Sequence, residues 1–165
     1  MQYFSKSKFH LTAMSVFLFM IQAHASDLIR VKTDRGKVQG KMGADGQVRV
    51  FLGIPYASPP VGLRRWKPPQ PETKWHGVLQ ASSFGPRCIQ PAIHAADMIF
   101  RDPKQSEDCL TLNVWTPTRD RHAKLPVMVW IYGGGFTSGS TSEQRQDGER
   151  LARKGVLVVS MNYRL

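Results

Sequence analysis

From Val127 to Tyr132 every position is apolar, and the run stops at three consecutive glycines, Gly133, Gly134 and Gly135. With nothing polar to turn toward water, this pattern predicts a strand buried on both faces. Val156 to Met161 is a second apolar, β-branched run and predicts another buried strand. Between them, Glu149 to Gly155 reads as the end of a helix, with basic residues in its last turn and a glycine cap. Strand, helix, strand in that order is a βαβ unit, right-handed by default.

Upstream the pattern changes. Leu28 to Thr33 predicts a first strand, Asp34 to Gly36 a turn, and Lys37 to Lys41 the returning strand. Gly43 to Gly46 holds an Asp-Gly turn signal, and Gln47 to Leu52 predicts a third strand, which together make an antiparallel meander. Residues 58–91 are rich in proline, which excludes regular helix or central strand. The interspersed Trp66 and Trp75 argue for a packed, ordered coil rather than a linker. Residues 92–105 are ambiguous and have room for one helical turn. Thr111 to Thr116 predicts a further strand, and Arg119 to Lys124 a polar connection.

The first 25 residues carry a different signature. Lys6 and Lys8 form a basic stretch, Leu11 to Ile21 is an apolar core too short to span a bilayer, and Ala23-His24-Ala25 fits a small-x-small cleavage site. The expectation is a signal peptide cut after Ala25, export to a periplasm or the outside, and no stable membrane anchor after cleavage. Residues 26–165 then form the folded part. The formal net charge is +11. The basic residues are scattered without aromatic interleaving, which argues against a nucleic-acid partner. Two cysteines, Cys88 and Cys109, follow the export signal, and an even count in that setting favours a disulfide. Their spacing fits no zinc pattern, so no metal is expected.

The chemistry concentrates at the glycines. Tyr132-Gly133-Gly134-Gly135-Phe136 ends a strand with bare backbone N–H groups, as an oxyanion hole requires. A dinucleotide fingerprint starting at Gly133 needs glycine at 138, where Ser138 stands. A simple turn needs fewer glycines. No Gly-x-Ser-x-Gly nucleophile elbow occurs; Gly135 to Gly139 mimics it with Thr137 in the centre and continues the glycine loop. Ser138 and Ser140 read as loop hydroxyls. His10 and His24 leave with the leader, and His76, His94 and His122 read as surface residues. Glu107 and Asp108 are sequence neighbours that point apart, so they do not form an acid–base pair.

These glycines, with Ser106-Glu107-Asp108-Cys109-Leu110, Phe51-Leu52-Gly53-Ile54-Pro55-Tyr56-Ala57 and Pro59-Pro60-Val61-Gly62, make the chain resemble the N-terminal part of a type-B carboxylesterase. That is the cholinesterase-like branch of the α/β-hydrolase fold. The resemblance runs from about Val31 to Leu165. It implies an α/β fold: a mostly parallel, twisted sheet preceded by the antiparallel meander, incomplete in this chain. It implies hydrolysis of a small-molecule carboxylic ester through a serine acyl-enzyme, with no metal or organic cofactor. Gly134 and Gly135 would be the oxyanion donors, with Gly133 supporting them, while the triad would lie beyond Leu165.

The resemblance also places a disulfide at Cys88–Cys109 and a buried ion pair at Arg65–Glu107. Arg164 aligns with an arginine whose acidic partner lies further along the family's chain. Cholinesterases place a tryptophan within the disulfide loop. Here the nearest aromatic residue is Phe100, so choline specificity is not carried over. Two other classes stay open: a cholinesterase-like binding or adhesion protein without catalysis, and a non-functional gene fragment. The coding sequence after Leu165 separates them.

Overall fold

A computed structural model describes residues 29–92 and 98–165. The leader, its cleavage site, the start of the first expected strand at Leu28, and His94 lie outside the described residues. The elements, in chain order, are β1 (Arg30–Lys32), β2 (Lys37–Gln39), β3 (Lys41–Met42), β4 (Arg49–Pro55), a 3₁₀ turn (Gly62–Arg64) and β5 (Val78–Gln80). They continue with β6 (Thr111–Thr116), β7 (Val127–Trp130), a 3₁₀ turn (Gln144–Gln146), α1 (Glu149–Ala152) and β8 (Leu157–Met161).

The strands form two sheets, one ordered β1-β2-β5 and the other β3-β4-β6-β8-β7. The expected meander is therefore divided. β1 pairs antiparallel with β2, and β3 with β4, but the returning strand breaks at Gly40 and its two halves join different sheets. Gly40 packs so closely on β4 that a Cβ there would run into the Val50 carbonyl oxygen and the Phe51 ring. The Pro-rich coil supplies a strand that its sequence did not signal: β5 pairs parallel with β2. Trp75 joins the same packing and donates its indole N–H to the Lys37 carbonyl at 2.9 Å.

Side-chain alternation along β4 and β6 explains the layers. Val50, Leu52 and Trp115 face one side, where they pack with Val48, Phe84, Ala152 of α1 and Val158 of β8. Phe51 and Val114 face the other side, against Val38, Ala81 and Leu79 of the smaller sheet. Between Phe51 and Ile54 the β4–β6 register shifts at a bulge. Gly53 sits there at φ 70°, and a Cβ would lie 2.7 Å from the Ser83 carbonyl oxygen, so only glycine fits this bend. Its N–H is taken by Asn113 Oδ1 at 2.9 Å.

β6 lies between β4 and β8 and pairs antiparallel with both, and β7 adds parallel to β8 across the α1 crossover. β8 alternates between half-buried and fully buried residues. β7 departs from the expectation of burial on both faces: Val127, Met128, Val129 and Trp130 are all exposed. β7 is the terminal strand of its sheet, paired on one edge only, and among the described residues no helix covers it. The 98–105 segment contains no helix.

Candidate functional site

The glycine loop leaves the end of β7 and turns back at Gly139. Tyr132 anchors its start. That ring is buried and stacks on Tyr163 with centroids 4.3 Å apart and planes 15° from parallel. The two tyrosines bond reciprocally: Tyr163 Oη donates to the Tyr132 carbonyl at 2.8 Å, and Tyr132 Oη donates to the Tyr163 carbonyl at 3.2 Å. Burial pushes the Tyr132 phenol well above its ordinary pKa, against a smaller opposing effect of the hydrogen bond to Tyr163.

Beyond Tyr132 the loop folds onto itself. The Gly134 carbonyl accepts from the N–H groups of Thr137 at 3.1 Å and Ser138 at 3.3 Å. Gly134 has φ 138°, and a Cβ there would run into the Ser138 carbonyl oxygen. Gly139 closes the loop at φ 123°, where a Cβ would lie 2.5 Å from the Tyr132 ring and 2.8 Å from the Gly133 carbonyl oxygen. The Gly134 and Gly135 N–H groups have no hydrogen-bond acceptor among the described residues. The faces of Gly133 and Gly135 where a Cβ would project open onto free space. Phe136, exposed and at φ 60°, meets Tyr163 edge-on at 6.3 Å.

The return limb, from Ser138 to Glu143, is buried throughout. Ser140 is thus no ordinary loop hydroxyl. Its Oγ and that of Ser142 both donate to the carboxylate of Asp102, which is fully buried and pairs with Arg87 at 2.5 Å. Thr141 bonds Asn162 Oδ1 through both its N–H and its hydroxyl, and Asn113 Nδ2 donates to Thr141 Oγ1 and Ser160 Oγ. Ser138 is buried with its Oγ unbonded. This polar base under the loop was missed from the sequence. The run Ser140-Thr-Ser-Glu143 was its one signal, since so many hydroxyls behind a glycine loop need buried partners.

Cys88 and Cys109 form a disulfide, with Cα atoms 5.1 Å apart. The loop it closes carries Gln90 and Asp102 toward the glycine loop's return limb. Phe100 has one face occupied by the Arg87 guanidinium, 4.7 Å from its centroid. Arg65 Nε lies 2.9 Å from Glu107 Oε1, but the pair is not buried as expected: the side chains are 57% and 41% exposed. Both line an open cleft of about 670 Å³ with Trp66, Cys109, Arg164 and Leu165. Solvent in that cleft screens the pair. Arg164 donates to the Lys67 carbonyl at 3.0 Å. His76 and His122 are exposed and remote from the glycines in sequence. Among the described residues no group of three or more His, Cys, Asp or Glu is placed to hold a metal ion, and no helix is long and apolar enough to cross a membrane.

Comparison with known proteins gives this arrangement a lineage. The chain is 47% identical over 137 residues to the para-nitrobenzyl esterase of Bacillus subtilis, covering 82% of this chain and 27% of that protein. It is 46% identical over 133 residues to the fumonisin B1 esterase of Sphingopyxis macrogoltabida, covering 80% and 24%. It is 44% identical over 165 residues to the acetylcholinesterase of Danio rerio, covering 93% and 26%. The chain therefore spans about a quarter of the length of these curated relatives. Among solved structures, a para-nitrobenzyl esterase superposes with a TM-score of 0.76 at 46% identity, over 82% of this chain and 28% of that one. A Geobacillus stearothermophilus carboxylesterase gives 0.73 at 43%, over 83% and 26%. These neighbours make the architecture part of an α/β-hydrolase. The carboxylesterase family model matches residues 27–165, and with its glycine loop, disulfide and divided meander in place the chain belongs to that family.

Proposed function

We propose that the complete protein hydrolyses small carboxylic esters through a serine acyl-enzyme, and that this chain supplies the oxyanion donors. The observation that carries the reading is the pair of N–H groups at Gly134 and Gly135, left without acceptors at the end of a strand. When a serine oxygen adds to an ester carbonyl, negative charge builds on the carbonyl oxygen. Fixed donors that already point there stabilise it without reorganising. Gly133 supports the donors by continuing the bare backbone from Tyr132. In this reading the nucleophilic serine comes from outside these residues, since no Gly-x-Ser-x-Gly elbow occurs among them, and the histidine and acid of the triad are assigned there with it. No organic or metal cofactor enters the scheme. The disulfide and the leader pattern support an exported protein working in an oxidising compartment.

The test is Gly134→Ala in the full-length protein. The new methyl group collides with the Ser138 carbonyl oxygen and forces the loop open. The expected outcome is a kcat lowered by about 10²–10³ on a p-nitrophenyl ester, with KM little changed. A folded variant with wild-type kcat would refute the assignment.

A further inference from the structure

We infer that Gln90, through its side-chain amide, is the positioning residue that holds the glycine loop in its working shape and couples it to the disulfide. This inference rests on the oxyanion reading above. Gln90 Oε1 accepts from the Gly139 N–H at 2.8 Å, and Gln90 Nε2 donates to the Gly139 carbonyl at 2.9 Å. A primary amide thus pairs with both backbone groups of one residue, as a neighbouring strand would. The second Nε2 hydrogen goes to the carbonyl of Cys88, at 3.0 Å. Every hydrogen-bonding group of the amide is directed, and both ends of the clamp are backbone. Gln90 itself is fixed from behind: its N–H donates to Gln105 Oε1 at 2.9 Å.

Gly139 is the point where such a grip matters. It is the residue on which the loop closes, packed on the Tyr132 ring and the Gly133 carbonyl. Displacing it removes the floor beneath Gly133 and frees the Gly134–Ser138 contact that sets the direction of the two donor N–H groups. The path from Cys88 runs by hydrogen bonds through Gln90 to Gly139, then along the chain to Ser138, whose N–H donates to the Gly134 carbonyl. Gln90 touches no reacting atom in this scheme. Its effect is on where the donors stand, and displacement of about 1 Å in such a group costs about 10²-fold in rate.

The test uses the full-length protein with Gln90→Met, which keeps the length and loses all three hydrogen bonds, and Gln90→Glu, which keeps only the acceptor for Gly139. Gln80→Leu, at the one exposed position of β5, is the control. The expected result for Gln90→Met is a 10- to 100-fold loss of kcat with KM within about twofold, and an equal loss of affinity for a trifluoromethyl ketone, whose adduct carries the oxyanion. Gln90→Glu falls between, and Gln80→Leu stays at wild type. Hydrogen exchange at the Gly139 amide speeds up in Gln90→Met, while the Leu157 amide is unchanged. A folded Gln90→Met with wild-type kcat, or a loss confined to KM, overturns the inference. A wild type that turns over no ester sinks the oxyanion reading instead. The clamp is then judged by exchange alone, and equal exchange at Gly139 in Gln90→Met and wild type overturns it.

Discussion

Tyr132 shows how one side chain serves two purposes. Its ring fills the space beneath the glycine loop, and its hydroxyl donates to the Tyr163 carbonyl. Burial raises its pKa above the ordinary 10.0, and the same cause raises those of Tyr56 and Tyr163. A raised phenol stays neutral in the folded state after the unfolded chain has begun to ionise. The stability it contributes is therefore complete below pH 10 and is lost as pH rises beyond it. Urea midpoints of the full-length protein should be level up to about pH 9 and fall above pH 10. Tyr132→Phe should flatten part of that fall, and an identical slope in the variant would contradict the account. Tyr132 was visible in the sequence only as the last apolar residue before the glycines. Its partner lies across the fold at Tyr163, and no local pattern connects them.

The strands were legible where alternation or an apolar run was strong. The pattern predicts β6 at its observed bounds, Thr111–Thr116, and β7, α1 and β8 follow in the predicted order. What failed were features set by packing between distant segments. The break at Gly40 depends on the closeness of Val50 and Phe51, and β5 is a strand because β2 is beside it. The candidate site was half legible: the glycines and cysteines were marked by residue type, whereas Gln90 and Asp102 are ordinary residues until the disulfide loop folds back. That loop has a measurable worth. Its cysteines are 21 residues apart, and by loop-closure entropy the bridge contributes about 3 kcal/mol. Cys88→Ala with Cys109→Ala should lower unfolding stability by that order in chemical denaturation. A change below about 0.5 kcal/mol would mean that the unfolded chain gains little freedom from the cut.

Taken as a body, the described residues carry an imbalance. Val127 and Val129 on one face are 61% and 54% exposed, and Met128 and Trp130 on the other are 41% and 43% exposed, on a strand with one free edge. A sequence that predicts burial on both faces and a structure that exposes both is the signature of a segment designed for more neighbours than these residues provide. The chain by itself should self-associate and bind hydrophobic dyes strongly, and it should show no esterase turnover or fluorophosphonate labelling, for want of a serine elbow. Sedimentation, dye fluorescence and a p-nitrophenyl ester assay check this. A dispersed monomer with a cooperative melt, or stoichiometric labelling, would contradict it.

The order β3-β4-β6-β8-β7 also sets a timetable. β7 is made before β8, yet β8 is the only strand it pairs with among the described residues. From Trp130 to Leu157 is 27 positions, which at ribosomal speeds of about 5–20 residues per second takes about 1.4–5.4 s. For that interval the most apolar strand of the sheet has emerged with no place to dock. The α1 crossover thus doubles as a delay, and a holdase that captures extended apolar segments meets β7 before the sheet can.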